Sequence, residues 1–66
     1  MNLMVNGEPK TLPDGLTLQQ LLDQLEIPNG RVACEVNVQI IKRALYPQTI
    51  LKEGDEVEII QAIGGG

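Results

Sequence analysis

Histidine, tryptophan and phenylalanine are absent from this chain, and cysteine and tyrosine occur once each. Each shortage excludes something. A single cysteine, Cys34, cannot close a disulfide within the chain, and with no histidine beside it there is no ligand set for zinc. One aromatic ring, Tyr46, gives no platform on which single-stranded nucleic acid could stack. Basic residues are few as well: 5 Lys and Arg stand against 9 Asp and Glu, for a net charge of −4. The chain therefore lacks the basic composition that a nucleic-acid or anionic-membrane partner requires, and it is better suited to a basic surface on a protein partner. No apolar run approaches the roughly 20 residues that span a bilayer. Met1 to Val5 is too short, and lacks the charged start, for a signal peptide. One free thiol fits a reducing cytoplasm, which is the expected location.

What is present must build a core from aliphatic side chains. At 66 residues the chain is one domain at most, and a core of this size rarely supplies more than about 3–5 kcal/mol without staples. Asn2 to Val5 reads as a strand with Leu3 and Val5 on one face. Asn6-Gly7 is the dipeptide of a type I′ hairpin turn, which needs positive φ at both central positions. The returning strand, Glu8 to Leu12, contains Pro9, which cannot donate to a ladder and so belongs at a sheet edge. After a turn at Pro13-Asp14-Gly15, Thr17 and Gln20 form a capping-box pattern. Leu18, Leu21, Leu22 and Leu25 then lie at helical spacing along one stripe, and Pro28 and Gly30 end the helix by Ile27 at the latest. Arg31 to Asn37 alternates, with Val32, Cys34 and Val36 on one face. Asn37-Val38-Gln39 is read as a tight turn, and Ile40-Ile41 as a short strand closed by Lys42 and Arg43. Ala44 to Thr49 is read as a loop with one helical turn at most. Glu53-Gly54-Asp55 makes a turn, and Val57 to Ile63 is the last strand, more continuously apolar than the others.

One helix covers one face of one sheet. The predicted fold class is α+β, a four- or five-stranded mixed sheet packed on one main helix, with the first and last strands side by side in the middle. The domain is expected to occupy 1–63 and to be followed by a glycine tail, 64–66. On the last strand, Val57 and Ile59 face the helix, while Ile60 and Ala62 point the other way, with Ala33 as a neighbour on that face. This places Ile60 and Ala62 as docking residues for a partner, unless the 44–49 loop covers Ile60. Cys34, between Val32 and Val36, reads as a small core hydrophobe rather than a sulfur-handling thiol. Lys42-Arg43 reads as a solvated pair, or as a dock for an acidic partner. Glu53, Asp55, Glu56 and Glu58 read equally as a solvated turn or as a patch for a basic partner surface.

The tail packs nothing, and ordering glycine costs more backbone entropy than ordering any other residue. Its ordinary reading is a frayed end. Its chemical reading is a thread: Gly64 and Gly65 can pass through a partner channel too narrow for side chains and deliver the α-carboxylate of Gly66. That carboxylate, with a pKa of about 3.5, is an anion and a poor electrophile at neutral pH. It must be activated before a nucleophile can attack it. The chain has no base, metal ligand or phosphate loop for this, and the expectation is that it binds no cofactor itself.

The Asn6-Gly7 hairpin, the Thr17-Leu18-Gln19-Gln20-Leu21-Leu22 helix start, Glu53-Gly54-Asp55-Glu56-Val57 before the last strand and the terminal Gly-Gly together resemble the sulfur carrier proteins of thiamine biosynthesis, a ubiquitin-like β-grasp family. The resemblance spans the whole chain, with Gly64 as an additional glycine before the pair. It implies that a ubiquitin-activating-like adenylyltransferase uses ATP and magnesium to adenylate Gly66. A sulfur donor, a cysteine desulfurase or persulfide protein, then leaves a thiocarboxylate, and thiazole synthase takes the sulfur. The chain would be a co-substrate, not an enzyme, and a monomer on its own. The small subunit of molybdopterin synthase is similar in fold and tail, though those subunits tend to be longer and richer in Phe. Conjugation of Gly66 to a lysine and a plain β-grasp binding module are the other readings.

Overall fold

The structure, a computed structural model, describes residues 1–61, the Asn29 side chain excepted. The expectations placed on Ala62, Ile63 and Gly64 to Gly66 lie outside the described residues.

Strand β1 (Asn2–Val5) turns at Asn6 and Gly7, whose φ values of 51° and 80° are those of the expected hairpin. It returns as β2 (Glu8–Thr11), where Pro9 lies on an edge strand as its missing N–H requires. Helix α1 (Leu18–Gln24) opens on the predicted capping box. The Gln20 N–H donates to the Thr17 hydroxyl at 3.1 Å and the Thr17 N–H to the Gln20 side-chain oxygen at 2.9 Å. The helix stops three residues before the limit set at Ile27. Glu26 adopts φ 58°, and the Ile27 and Glu26 amides turn back to the Leu22 and Asp23 carbonyls at 2.9 and 3.1 Å. This is a Schellman ending built without glycine.

A 3₁₀ turn (Asn29–Arg31) leads into β3 (Val32–Val36), and β4 (Gln39–Ile41) follows a turn at Asn37 and Val38, both at positive φ. A second 3₁₀ segment (Arg43–Gln48) stands where a loop with at most one turn was expected. It packs against α1 and buries Tyr46, which is 1% exposed. Tyr46 is thus a central core residue, which its isolation in the sequence did not show. The last strand, β5 (Glu56–Gln61), completes a sheet in the order β2-β1-β5-β3-β4.

The β1–β5 pair is parallel and the others are antiparallel. The sheet therefore has five strands, with the first and last at its centre as predicted. Leu18, Leu21 and Leu22 of the helix are fully buried with Val57, Ile59, Cys34, Tyr46 and Leu51, while Leu25 packs against this core partly buried. Leu16, just before the cap, is also core. Leu51 is buried as well, but its neighbour Ile50 is not. Ile50 instead forms a β-bridge with Thr17 and exposes its side chain.

Candidate functional site at the root of the tail

The site is the end of β5, the last described stretch before the terminal glycines in the sequence. The strand is central, and its first half is laddered on both sides. Its second half outruns β1, which ends at Val5 opposite Val57. On that side a side chain replaces the missing rungs. The Ile59 N–H donates to Asn6 Oδ1 at 2.7 Å, and Asn6 Nδ2 donates to the Ile59 carbonyl at 3.3 Å. On the other side β3 stays paired to the end, Val32 opposite Gln61. A second turn asparagine holds the strand's beginning: Asn37 Oδ1 accepts from the Glu56 N–H at 3.0 Å, and its own N–H donates to the Glu56 carbonyl at 2.8 Å. Both asparagines read in the sequence as turn formers only. Their second role joins residues 53 and 19 positions apart, a separation no local pattern reveals.

The outer sheet face carries Ile60, the described one of the two residues expected to dock a partner. Ile60 is 56% exposed, and Ala33, directly opposite it on β3, is exposed too. The 44–49 segment does not cover Ile60, because it is folded against the helix on the other side of the sheet. Along the same face lie Met4 and Glu56, then Glu58 opposite Glu35 with Ile40 beyond it. A shallow depression of about 280 Å³ is lined by Met4, Gly7, Glu56, Val57 and Glu58. Another, of about 260 Å³, lies at the strand's end between Pro28, Gly30, Arg31 and Gln61.

The four carboxylates before and within β5 separate into two pairs. Glu53 accepts the Asn2 N–H at 2.9 Å, and Asp55 accepts the Lys52 N–H at 2.8 Å and the Asn37 side-chain amide at 3.0 Å. These two hold the turn that starts β5. Glu56 and Glu58 point outward, exposed. Cys34 is wholly buried, and burial pushes its thiol pKa up, opposed by a hydrogen bond with Tyr46. A thiol held protonated this way is packing rather than a nucleophile. Among the described residues no group of His, Cys, Asp or Glu is arranged to hold a metal, and no helix is long and apolar enough to cross a membrane.

A five-stranded mixed sheet grasping one helix, with a parallel central pair, defines a ubiquitin-like β-grasp protein. Residues 3–66 match the ThiS family model. The crystal structure of the thiamine biosynthesis protein ThiS from Geobacter metallireducens superposes with a TM-score of 0.85 at 36% identity over the whole of both chains. The sulfur carrier protein ThiS of Escherichia coli is 32% identical over 66 residues, covering all of both chains. A thiazole synthase of Paramagnetospirillum magneticum is 36% identical over the same 66 residues, and there the chain spans only 20% of the relative's length. The chain belongs to the ThiS family. It is a sulfur carrier of thiamine biosynthesis, a protein co-substrate and not a catalyst.

Proposed function

We infer that sulfur is carried on the α-carboxylate of Gly66, with Gly64 and Gly65 threading the active sites of the enzymes that load and unload it. The observation that carries this reading is the anchoring of β5. Asn6 on one flank and Val32 on the other fix the strand up to Gln61, five residues before Gly66. A strand anchored this far leaves only Ala62 and Ile63 in the sequence between it and the three glycines.

An adenylyltransferase joins the Gly66 carboxylate to the α-phosphorus of magnesium-bound ATP and releases pyrophosphate. A persulfide sulfur then attacks the acyl carbon and AMP leaves. Reduction of the resulting S–S bond by a thiol frees the thiocarboxylate. Thiazole synthase is the proposed acceptor. The match of this chain to a stretch within a thiazole synthase supports that pairing, since a carrier and its acceptor joined in one polypeptide need not search for each other. Ile60 and Ala62 provide the docking face beside the tail. ATP, magnesium and the persulfide are assigned to the partners in this reading. Match to the ThiS family over residues 3–66 favours thiazole over molybdopterin synthesis as the pathway served.

The test is the intact mass of the protein after incubation with its adenylyltransferase, ATP, magnesium and a persulfide donor. A gain of one oxygen-to-sulfur exchange, mapped to Gly66, is expected. One residue appended after Gly66 should abolish the gain and leave the fold unchanged. A terminus that remains a carboxylate with the cognate enzymes ends the reading.

A further inference from the structure

Three of the chain's five basic residues converge on the root of the tail, although the molecule as a whole is acidic. Arg31 lines the depression that Gln61 closes. Arg43 Nη2 donates to the Gly30 carbonyl at 3.3 Å, which fixes its guanidinium beside the same turn. Lys42 follows Ile41, the last residue of β4, which pairs with Cys34 next to Ala33, the partner of Ile60. All three side chains are exposed. The one ion pair among the described residues joins the Met1 ammonium to Asp14 and involves none of them. The other two cations lie elsewhere: Lys10 on edge strand β2, opposite Leu3, and Lys52 before the turn at the start of β5.

We propose that Arg31, Lys42 and Arg43 form a cationic collar that docks on an acidic rim around the channel through which the adenylating enzyme takes the tail. The proposal rests on the reading of Gly66 as the activated residue. Five residues separate Gln61 from Gly66, a reach of at most about 17 Å at roughly 3.3–3.6 Å per residue. An enzyme that holds the Gly66 carboxylate at its active site must therefore bring its surface against the surroundings of Gln61, and those surroundings are the collar. Exposed like charges brought against a protein surface require opposite charge there, or binding is penalised. The nucleotide is a poor alternative anion. With the tail extended, the adenylate sits at its far end, well beyond the length of an arginine side chain rooted at Gln61. The collar also explains how an acidic carrier is held in register. Glu35, Glu56 and Glu58 lie on the outer face and the cations at the tail end, so only one orientation matches a partner that is acidic around its channel.

The experiment compares dissociation constants for the cognate adenylyltransferase, measured without nucleotide at low and high salt. Arg43 is left in place because it bonds Gly30. The test variant is Arg31→Glu with Lys42→Glu, and the control is Lys10→Glu with Lys52→Glu, which changes the net charge equally. The collar variant should bind roughly tenfold or more weakly at low salt, with the gap closing as salt screens it. The control should stay within about twofold of wild type, as expected for charges outside an interface. Arg31→Gln with Lys42→Gln should give an intermediate loss, and thermal melts should show all variants folded. Three results overturn the collar: unchanged affinity, an equal loss in the control, or a loss seen only as a raised KM for ATP. Wild-type adenylation at Gly66, run in parallel, tests the carrier reading separately. If wild type is adenylated and the collar variants bind normally, only the collar falls. If wild type is bound but never adenylated, both fall.

Discussion

Asn6 is a turn residue that also braces the last strand. Its backbone sits at φ 51° to make the hairpin, and its amide closes two hydrogen bonds on Ile59 that β1 is too short to make. Asn6→Gly keeps the turn geometry and removes only the clamp. It should cost about 1–3 kcal/mol, from two hydrogen bonds worth about 0.5–1.5 kcal/mol each. Faster amide exchange should be confined to Ile59 and the residues after it, and Ile59 protection equal to that of wild type would show that the clamp contributes nothing. Tyr46 gives the pH dependence. Burial, then its hydrogen bond with Cys34, pushes the phenol from an ordinary 10.0 up to about 12 in the fold. The unfolded chain therefore releases this proton first, so the contribution is fully present below pH 10 and is lost as pH rises toward 12. Cys34, raised from 9.0, adds a loss in the same direction that begins slightly lower. Urea unfolding at a series of alkaline pH values should show stability falling through this window. Tyr46→Phe should cost about 1 kcal/mol at neutral pH for the lost hydrogen bond and should flatten the decline above pH 10. A decline of unchanged steepness in the variant would assign the loss to other groups.

Among the elements, β5 has two faces with two tasks. Val57 and Ile59 are 2% and 7% exposed beneath the helix, whereas Ile60 is 56% exposed. This division was legible from strict alternation, and so was the helix from its leucine spacing and capping box. The 3₁₀ segment over Arg43–Gln48 was not, because its period is neither that of a helix nor that of a strand and it contains Pro47. The sequence therefore gives no sign that Tyr46 is core, and leaves open whether that segment covers Ile60. With the segment packed on the helix, the outer face of β5 is free. Ile60→Glu should therefore leave the thermal transition nearly unchanged, as surface substitutions do. It should weaken binding to the adenylyltransferase by about tenfold or more, the equivalent of about 1.4 kcal/mol. Circular dichroism melts and a binding titration decide the matter together. A variant that unfolds would show Ile60 to be core, and a folded variant that binds normally would remove it from the docking face.

At the scale of the molecule, most of the architecture was readable because it rests on local signals: Asn6-Gly7, Pro9 at an edge, the leucine stripe, and a final strand apolar enough to be central. The unreadable part is long-range. The asparagine clamps on β5, the gathering of Arg31 with Lys42 and Arg43, and the pairing of charges across strands depend on register, which the sequence specifies only through the whole sheet. One such pairing is unfavourable. Glu35 and Glu58 lie directly opposite each other on adjacent antiparallel strands of the outer face, where like charges destabilise. Among the described residues neither forms an ion pair. In a chain of net charge −4 this repulsion adds to a general one, and salt should relieve both. Glu35→Lys turns the rung into an attractive pair without entering the core. It should stabilise the free protein by about 0.5–1 kcal/mol at low salt, a rise of roughly 2–8 °C in Tm for a domain of this size. The gain should shrink in high salt, where wild type itself melts higher. If the variant melts with wild type at low salt, the two carboxylates do not repel across the rung. If the gain survives high salt undiminished, its origin is strand propensity or packing rather than charge.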